Sequence, residues 1–434
     1  MQLNRQVRSQ HLTHEGGSGF SNTTLEQDLR RSVMSCMLWE NAFYEDGISI
    51  ADRISDLASK LDPQTVANIA IEAREDMKLR HAPLLLLTVL CKTGSGTSLV
   101  SDTIERVIQR ADELGEFVAI YKQQNGQDSS LSAQMKKGLA RAFDKFDEYQ
   151  LQKYTKRDQA WSLRDVMFMV HPKPSEERKA LYARLADQEM ATADTWEVEL
   201  SASTDKKASW TRLLAENRVG YMALLRNLRN MSQANVEREL VVNALKARKG
   251  AHRVLPFRFV AAAKVAPEYA PALDEALMQN IEGSKQFTGS TLVLVDVSGS
   301  MRTSLSSRSD LTRLDAAAAL ASVINADDMR VFCFTDKVWE VPAYKGLAGI
   351  DTIRRQPNGM TLLGNAVTEL NKIDHDRIIV ITDEQSADRV PGPSASKAYM
   401  INIASYKNGV GYGPWTHIDG FSEKVINYIH EFEN

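Results

Sequence analysis

Two apolar runs of strand length, each ending on an aspartate, constrain this chain most: TLVLVDVSGSM, which carries Asp296, and RIIVITDE, which carries Asp383. Runs that are apolar throughout read as strands buried on both faces, the mark of a parallel sheet covered by helices. The first run breaks into a Gly-containing turn holding Ser298 and Ser300. Between the two runs, Thr361 follows Asn358, Gly359 and Met360 and opens the helix-like stretch LLGNAVTEL. Each of these oxygen-bearing residues falls at the carboxyl end of a strand or in the loop after it, where open α/β sheets bind ligands. Hydroxyls and two carboxylates, without thiolate or imidazole, suit a hard divalent cation such as Mg²⁺. The intervening segments fit the same plan. LTRLDAAAALASVI has helical spacing with Asp310 as its cap, RVFCFT and KVWEVPAY read as a hairpin, KAYMINIAS as a further strand, and FSEKVINYIHEFEN as a closing amphipathic helix.

Asp-x-Ser-x-Ser alone is ordinary turn material. Together with the later Thr and Asp in strand–loop context, it resembles the metal-ion-dependent adhesion site of von Willebrand factor A domains. That resemblance implies a doubly wound, Rossmann-like domain over residues 285–434. It also implies one cation held by Asp296, Ser298, Ser300, Thr361 and Asp383, with a coordination position left for an acidic residue of a protein partner.

At 434 residues the chain should hold more than one domain. Cys36, Cys91 and Cys333 are scattered without zinc spacing, which fits buried small side chains in a reducing interior. Residues 1–22 read as a polar arm with neither a signal peptide nor a lipidation signal. The longest apolar run, residues 83–91, is too short to cross a bilayer. A soluble, cytoplasmic protein with no membrane partner is therefore expected, which disfavours extracellular adhesion.

Residues 23–284 show helical spacing almost everywhere. Asp62 with Pro63, and Thr97 with Ser98, mark helix starts, the latter opening LVSDTIERVIQRADEL. Consecutive helix pairs recur at about forty residues, the spacing of HEAT-type repeats, so a helical solenoid is the expected packing. Its charge is uneven. Residues 206–258 carry 12 basic and 3 acidic residues, and residues 136–184 carry 12 against 7. Phosphates are met by such patches rather than by net charge. A helix expected over 216–231 places Arg218, Arg226 and Arg229 in one sector and Tyr221, Leu224, Leu228 and Met231 opposite. A solvated charged face is the plainer reading of any such sector. Here acidic partners are sparse in the local sequence, so the guanidiniums are expected to meet phosphate.

Three strings, WSLRDVMFMVHPKPS (161–175), LLRNLRNM (224–231) and RVLPFRFVAA (253–262), together with the carboxyl-terminal domain, resemble the Ro ribonucleoprotein, or TROVE, family of bacterial or phage type. The resemblance implies that the HEAT-like helices close into a monomeric ring joined by the A domain. It implies small noncoding Y-like RNA on the outer surface and single-stranded 3′ ends of misfolded RNA in the central channel, a role in RNA quality control or processing. It places Lys153, Arg157 and His171 at the Y RNA surface. For His171 a helix-end role before Pro172 stays open, and for Lys153 and Arg157 a solvated face. An exoribonuclease is the expected processing partner. The competing reading is a metal-dependent protein-interaction adaptor with a helical scaffold. No nucleophile–base pair, Walker loop or zinc motif stands in the sequence, so an enzyme is not expected.

Overall fold

Helical periodicity upstream of residue 284 is realised as a succession of short helices, and the two apolar runs beyond it become neighbouring strands of one sheet. The structure is a computed structural model describing residues 11–12, 18–19, 24–34, 47–75, 77, 79–155, 160–192, 195–251, 254, 256–282, 285–305, 311–404, 410, 414–419 and 424–433. It divides into two compact units. One comprises the described residues between 24 and 204; the other comprises those from 205 onward with the ribbon β1 (His11–Leu12) and β2 (Ser18–Gly19).

The first unit is a layered stack of helices. Pro63–Glu75 begins on Asp62, whose carboxylate accepts the Thr65 N–H at 3.0 Å. His81–Thr93 is buried over almost its whole circumference and packs on both Gly47–Ser59 and Asp112–Asn125. A helix apolar all round belongs at the centre of a layer. The expected helix through LVSDTIERVIQRADEL is two, Ser98–Val107 and Asp112–Asn125. The break has a cause. The Glu113 carboxylate accepts the N–H groups of Gln109 (2.9 Å) and Arg110 (3.0 Å), so the backbone turns there instead of continuing. Buried Glu113 is paired with Arg74 at 2.7 Å, and buried Asp112 with Arg80 at 2.7 Å and Arg110 at 2.9 Å.

In the second unit, five helices (Lys206–Ala215, Tyr221–Gln233, Arg238–Ala247, Pro256–Val265 and Ala270–Glu282) precede the sheet. Pro256–Val265 packs on Arg313–Val323, and Ala270–Glu282 on Gly346–Arg354. The sheet comprises β3 (Phe287–Asp296), β4 (Ala326–Phe334), β5 (Val338–Val341), β6 (Arg377–Thr382), β7 (Lys397–Asn402) and β8 (Thr416–Asp419), in the order β5-β4-β3-β6-β7-β8. All neighbours are parallel except the β4–β5 hairpin. One face packs Leu292, Leu294, Ile378 and Val380 against helix Leu363–Leu370. The alternate residues are buried beneath Arg313–Val323 and the last helix, Lys424–Glu433. Cys91 and Cys333 are buried free thiols, and Cys36 lies outside the described residues.

Two local expectations are corrected. Arg313–Val323 is capped by Thr312, reciprocally with Asp315, rather than by Asp310, which lies outside the described residues. The basic helix runs Tyr221–Gln233, so Arg218 sits in the loop before it, with its N–H on Leu213 O at 2.8 Å. Among the described residues no helix is long and apolar enough to cross a membrane.

Candidate functional site

The sheet order determines where ligand-binding residues can gather. From β3 the chain moves to β4 and β5 on one side and returns to β6 on the other, so the switch point lies between the carboxyl ends of β3 and β6. Asp296 ends β3 and Asp383 follows β6, and both are fully buried. Ser298 Oγ lies 3.2 Å from Ser300 Oγ. The turn that holds them is tied to the Thr361 segment by Gly299 N–H donating to Gly359 O at 3.2 Å. Thr361 O accepts from Ala387 N–H at 3.0 Å, which fastens that segment to the loop after β6. Asp388 then caps helix Leu363–Leu370, accepting Gly364 and Asn365 N–H at 2.8 Å each. The structure thus brings the loops of all five proposed metal residues together.

Asp296 Oδ1 accepts the Ser298 N–H at 2.9 Å, and Oδ2 accepts Thr382 Oγ1–H at 2.7 Å. Burial, and then the charge of Asp383, still push the Asp296 carboxyl up to about 7. Two neighbouring carboxylates in one dry pocket are relieved by a proton or by a positive charge. Arg313 supplies part of that charge, with Nη1 at 3.4 Å from Asp383 Oδ2. The donor chemistry, all oxygen with two acids, fits Mg²⁺ or a similar hard ion. Holding Asp296 ionised there costs about 4 kcal/mol at the usual 1.36 kcal/mol per pKa unit. The sheet covers that easily, since each fully buried Leu, Ile or Val contributes roughly 1.5–3 kcal/mol. Thr382, Arg313 and Glu384 were not anticipated from the sequence. Glu384 is buried with a left-handed backbone, φ 59, and contacts His417 at 2.9 Å.

The expected RNA contacts divide between the two units. In the second, Arg226 and Arg229 are exposed one turn apart on Tyr221–Gln233, while Tyr221, Leu224, Leu228 and Met231 are buried, as the spacing predicts. Among the described residues neither arginine meets a carboxylate, whereas Arg218 stands 3.8 Å from Glu216. Burial of part of its side chain, and then repulsion from Arg226, hold Arg258 below the ordinary guanidinium value. The rest of the basic run is less open than its composition implies. Neighbouring helices pair Lys207 with Glu237 at 3.3 Å, and Lys246 with Glu275 at 2.9 Å.

In the first unit, Lys153 is half-buried on helix Glu148–Thr155, its Nζ 5.9 Å from the Tyr154 ring centre. That helix packs on Leu163–Val170, whose carboxyl end is His171, exposed and left-handed at φ 50, with its N–H on Met167 O at 2.9 Å. The helix-end reading of His171 therefore holds for its backbone. Arg157 lies outside the described residues. Sequence reasoning missed Phe168, 48% exposed beneath the Arg164 guanidinium at 5.0 Å, and Tyr149, 47% exposed. Exposed aromatics beside cations are the signal that could have found them.

The TROVE domain family model matches residues 3–192 and 184–280. Among solved structures, the crystal structure of the Deinococcus radiodurans Ro (RSR) protein is similar, with a TM-score of 0.65 at 18% identity, covering 94% of this chain and 99% of that one. At that identity the likeness concerns the fold. No curated protein matches the sequence.

Proposed function

Because the chain belongs to the TROVE domain family, whose members are RNA-binding ribonucleoproteins, we propose that it is an RNA-binding protein that engages single-stranded RNA through its phosphates. The observation that carries this reading is the exposed pair Arg226 and Arg229, one helical turn apart and without carboxylate partners among the described residues. Unpaired guanidiniums held side by side on a rigid helix repel one another until an anion bridges them, and a polyphosphate chain does so without reading bases. In this proposal 3′ ends of misfolded RNA thread a channel lined by these residues, so that a free end rather than a sequence is selected. Y-like RNA occupies the surface of Lys153, Arg157 and His171, where exposed Phe168 and Tyr149 offer stacking faces. An exoribonuclease would act on the threaded strand. Arg226→Glu should weaken binding of a 3′-overhang RNA about tenfold or more in filter binding at moderate salt. Unchanged affinity would overturn the assignment.

The second module has its own proposed role, that of a von Willebrand A-type domain. Asp296, Ser298, Ser300, Thr361 and Asp383 would hold Mg²⁺, and the ion would offer a position to an acidic group of a protein partner. Met360, 65% exposed beside Thr361, supports partner capture there, since an apolar side chain at the rim gains from being covered. Asp296→Ala should abolish Mg²⁺-dependent capture and leave RNA affinity intact.

A further inference from the structure

A polar cavity of about 410 Å³ lies in the second unit, lined by Lys264, Arg302, Thr312, Asp315, Arg354 and Arg355, with Asp351 at its edge. Its size falls in the range of small-ligand sites, roughly 300–1,000 Å³. Three elements supply the charge: the end of helix Pro256–Val265, the turn Gly299–Arg302 after β3, and the end of helix Gly346–Arg354. We propose that this cavity binds a phosphomonoester, the dianionic phosphate of a free nucleotide or of an RNA terminus.

Charge and occupancy point to that ligand class. Among the described residues four cations face two carboxylates, leaving an excess of two positive charges. Asp315 is already fully engaged. Its Oδ1 accepts Arg354 Nε at 2.7 Å, its Oδ2 accepts the Thr312 N–H at 2.8 Å, and Lys264 Nζ stands 3.7 Å away. Asp351 is shared loosely between Arg354 and Arg355, at 3.6 Å from each. Arg355 is left 80% exposed, and Arg302 meets only a backbone carbonyl, Gln356 O at 2.8 Å, among the described residues. A phosphodiester carries one negative charge, whereas a phosphomonoester carries about two near neutral pH and three strong acceptor oxygens. The monoester is therefore the complement to a doubly positive lining with open guanidinium donors. The larger cavity of the same unit, about 490 Å³, makes the contrast. Arg238 and Lys246 there face Glu239, Glu268 and Glu275, so its lining is not cationic.

Neither Arg226 nor Arg229 lines this cavity, and its test does not depend on the reading that rests on them. Isothermal titration calorimetry on the full chain, with inorganic phosphate and with adenosine monophosphate, should give saturable binding to one site. Single-stranded oligoribonucleotides with and without a terminal phosphate separate the two sources. Preference for the phosphorylated oligonucleotide assigns an RNA terminus; binding of the small phosphates alone assigns a free nucleotide. Arg355→Gln, at a mostly exposed side chain, should weaken binding about tenfold, and Arg302→Gln/Arg355→Gln about a hundredfold, as expected for charge-assisted hydrogen bonds. Arg330→Gln, at an exposed residue paired with Glu340, should change nothing. Absence of binding by every phosphate probe, or equal affinity in the double variant and wild type, overturns the proposal.

Discussion

Replacing Asp296 by Asn should stabilise the metal-free protein, an uncommon direction for a buried substitution. The magnitude follows from the site. Burial and the charge of Asp383 raise the Asp296 carboxyl from 3.8 to about 7. A carboxyl whose folded pKa exceeds its unfolded one binds its proton more tightly in the native state, so stability declines as pH rises through this interval. The loss is complete above about 7, where it reaches about 4 kcal/mol at 1.36 kcal/mol per unit. Asn removes the charge and keeps the shape. Its oxygen can still accept the Ser298 N–H, its NH₂ can donate to Thr382 Oγ1, and Arg313 then balances Asp383 alone. In thermal melts with chelator at pH 8 the variant should unfold several degrees above wild type, and the gap should narrow to less than half at pH 5 and close only below about pH 4. Mg²⁺ should raise the wild-type midpoint, more at pH 8 than at pH 5, and leave the variant unmoved. A variant that melts below wild type in chelator, or an equal Mg²⁺ shift in both, would refute the reasoning.

Other consequences concern the frame of the site. Arg377 is fully buried, ion-paired with Glu433, bonded to Thr291 Oγ1 at 2.9 Å, and placed 4.5 Å from the Phe287 ring centre. Arg377→Met leaves Glu433 to Lys397 and Tyr399, so denaturant unfolding should show a loss of about 3–5 kcal/mol. Hydrogen bonds and charge from Arg377 and Lys397 outweigh burial and hold Glu433 down to about 2. Its contribution is therefore present above about 4.5 and is lost only as pH falls toward 2, which an acid titration of the last helix followed by circular dichroism would read. Gly346 sits at φ +62, where a Cβ would lie 2.5 Å from Asp274 Oδ1 and 2.9 Å from Met278 Sδ. Gly346→Ala should destabilise by about 1–3 kcal/mol in urea titration, and a neutral result would show that helix Ala270–Glu282 gives way.

The α/β half was largely legible because its signals are long and of one kind. Apolar runs ending in Asp296 and Asp383 fixed two adjacent central strands, and β4, β5 and β7 followed from composition and spacing. Strand β8, only Thr416–Asp419, and helix Gly346–Arg354 carry too little pattern to stand out. In the helical half, helices were readable but their ends were not. The break before Asp112 depends on the Glu113 carboxylate turning back to Gln109 and Arg110, and the start at Tyr221 moved Arg218 off the basic face. Ion pairing was the least legible property, because Lys207 and Lys246 find their acids on other helices, 30 and 29 residues away in sequence. Arg226 and Arg229 remain open since no neighbouring helix presents an acid to them among the described residues.

The salt dependence of single-stranded RNA binding tests the central claim most directly. Each neutralised phosphate contributes about 0.7 to the slope of log affinity against log salt for a single strand. Fluorescence anisotropy of a labelled 3′-overhang RNA, measured across a salt series, should therefore show the Arg226→Gln/Arg229→Gln protein with a slope shallower by about 1.4. Identical slopes and affinities for the two proteins would mean that these guanidiniums do not meet phosphate, and the account would be wrong.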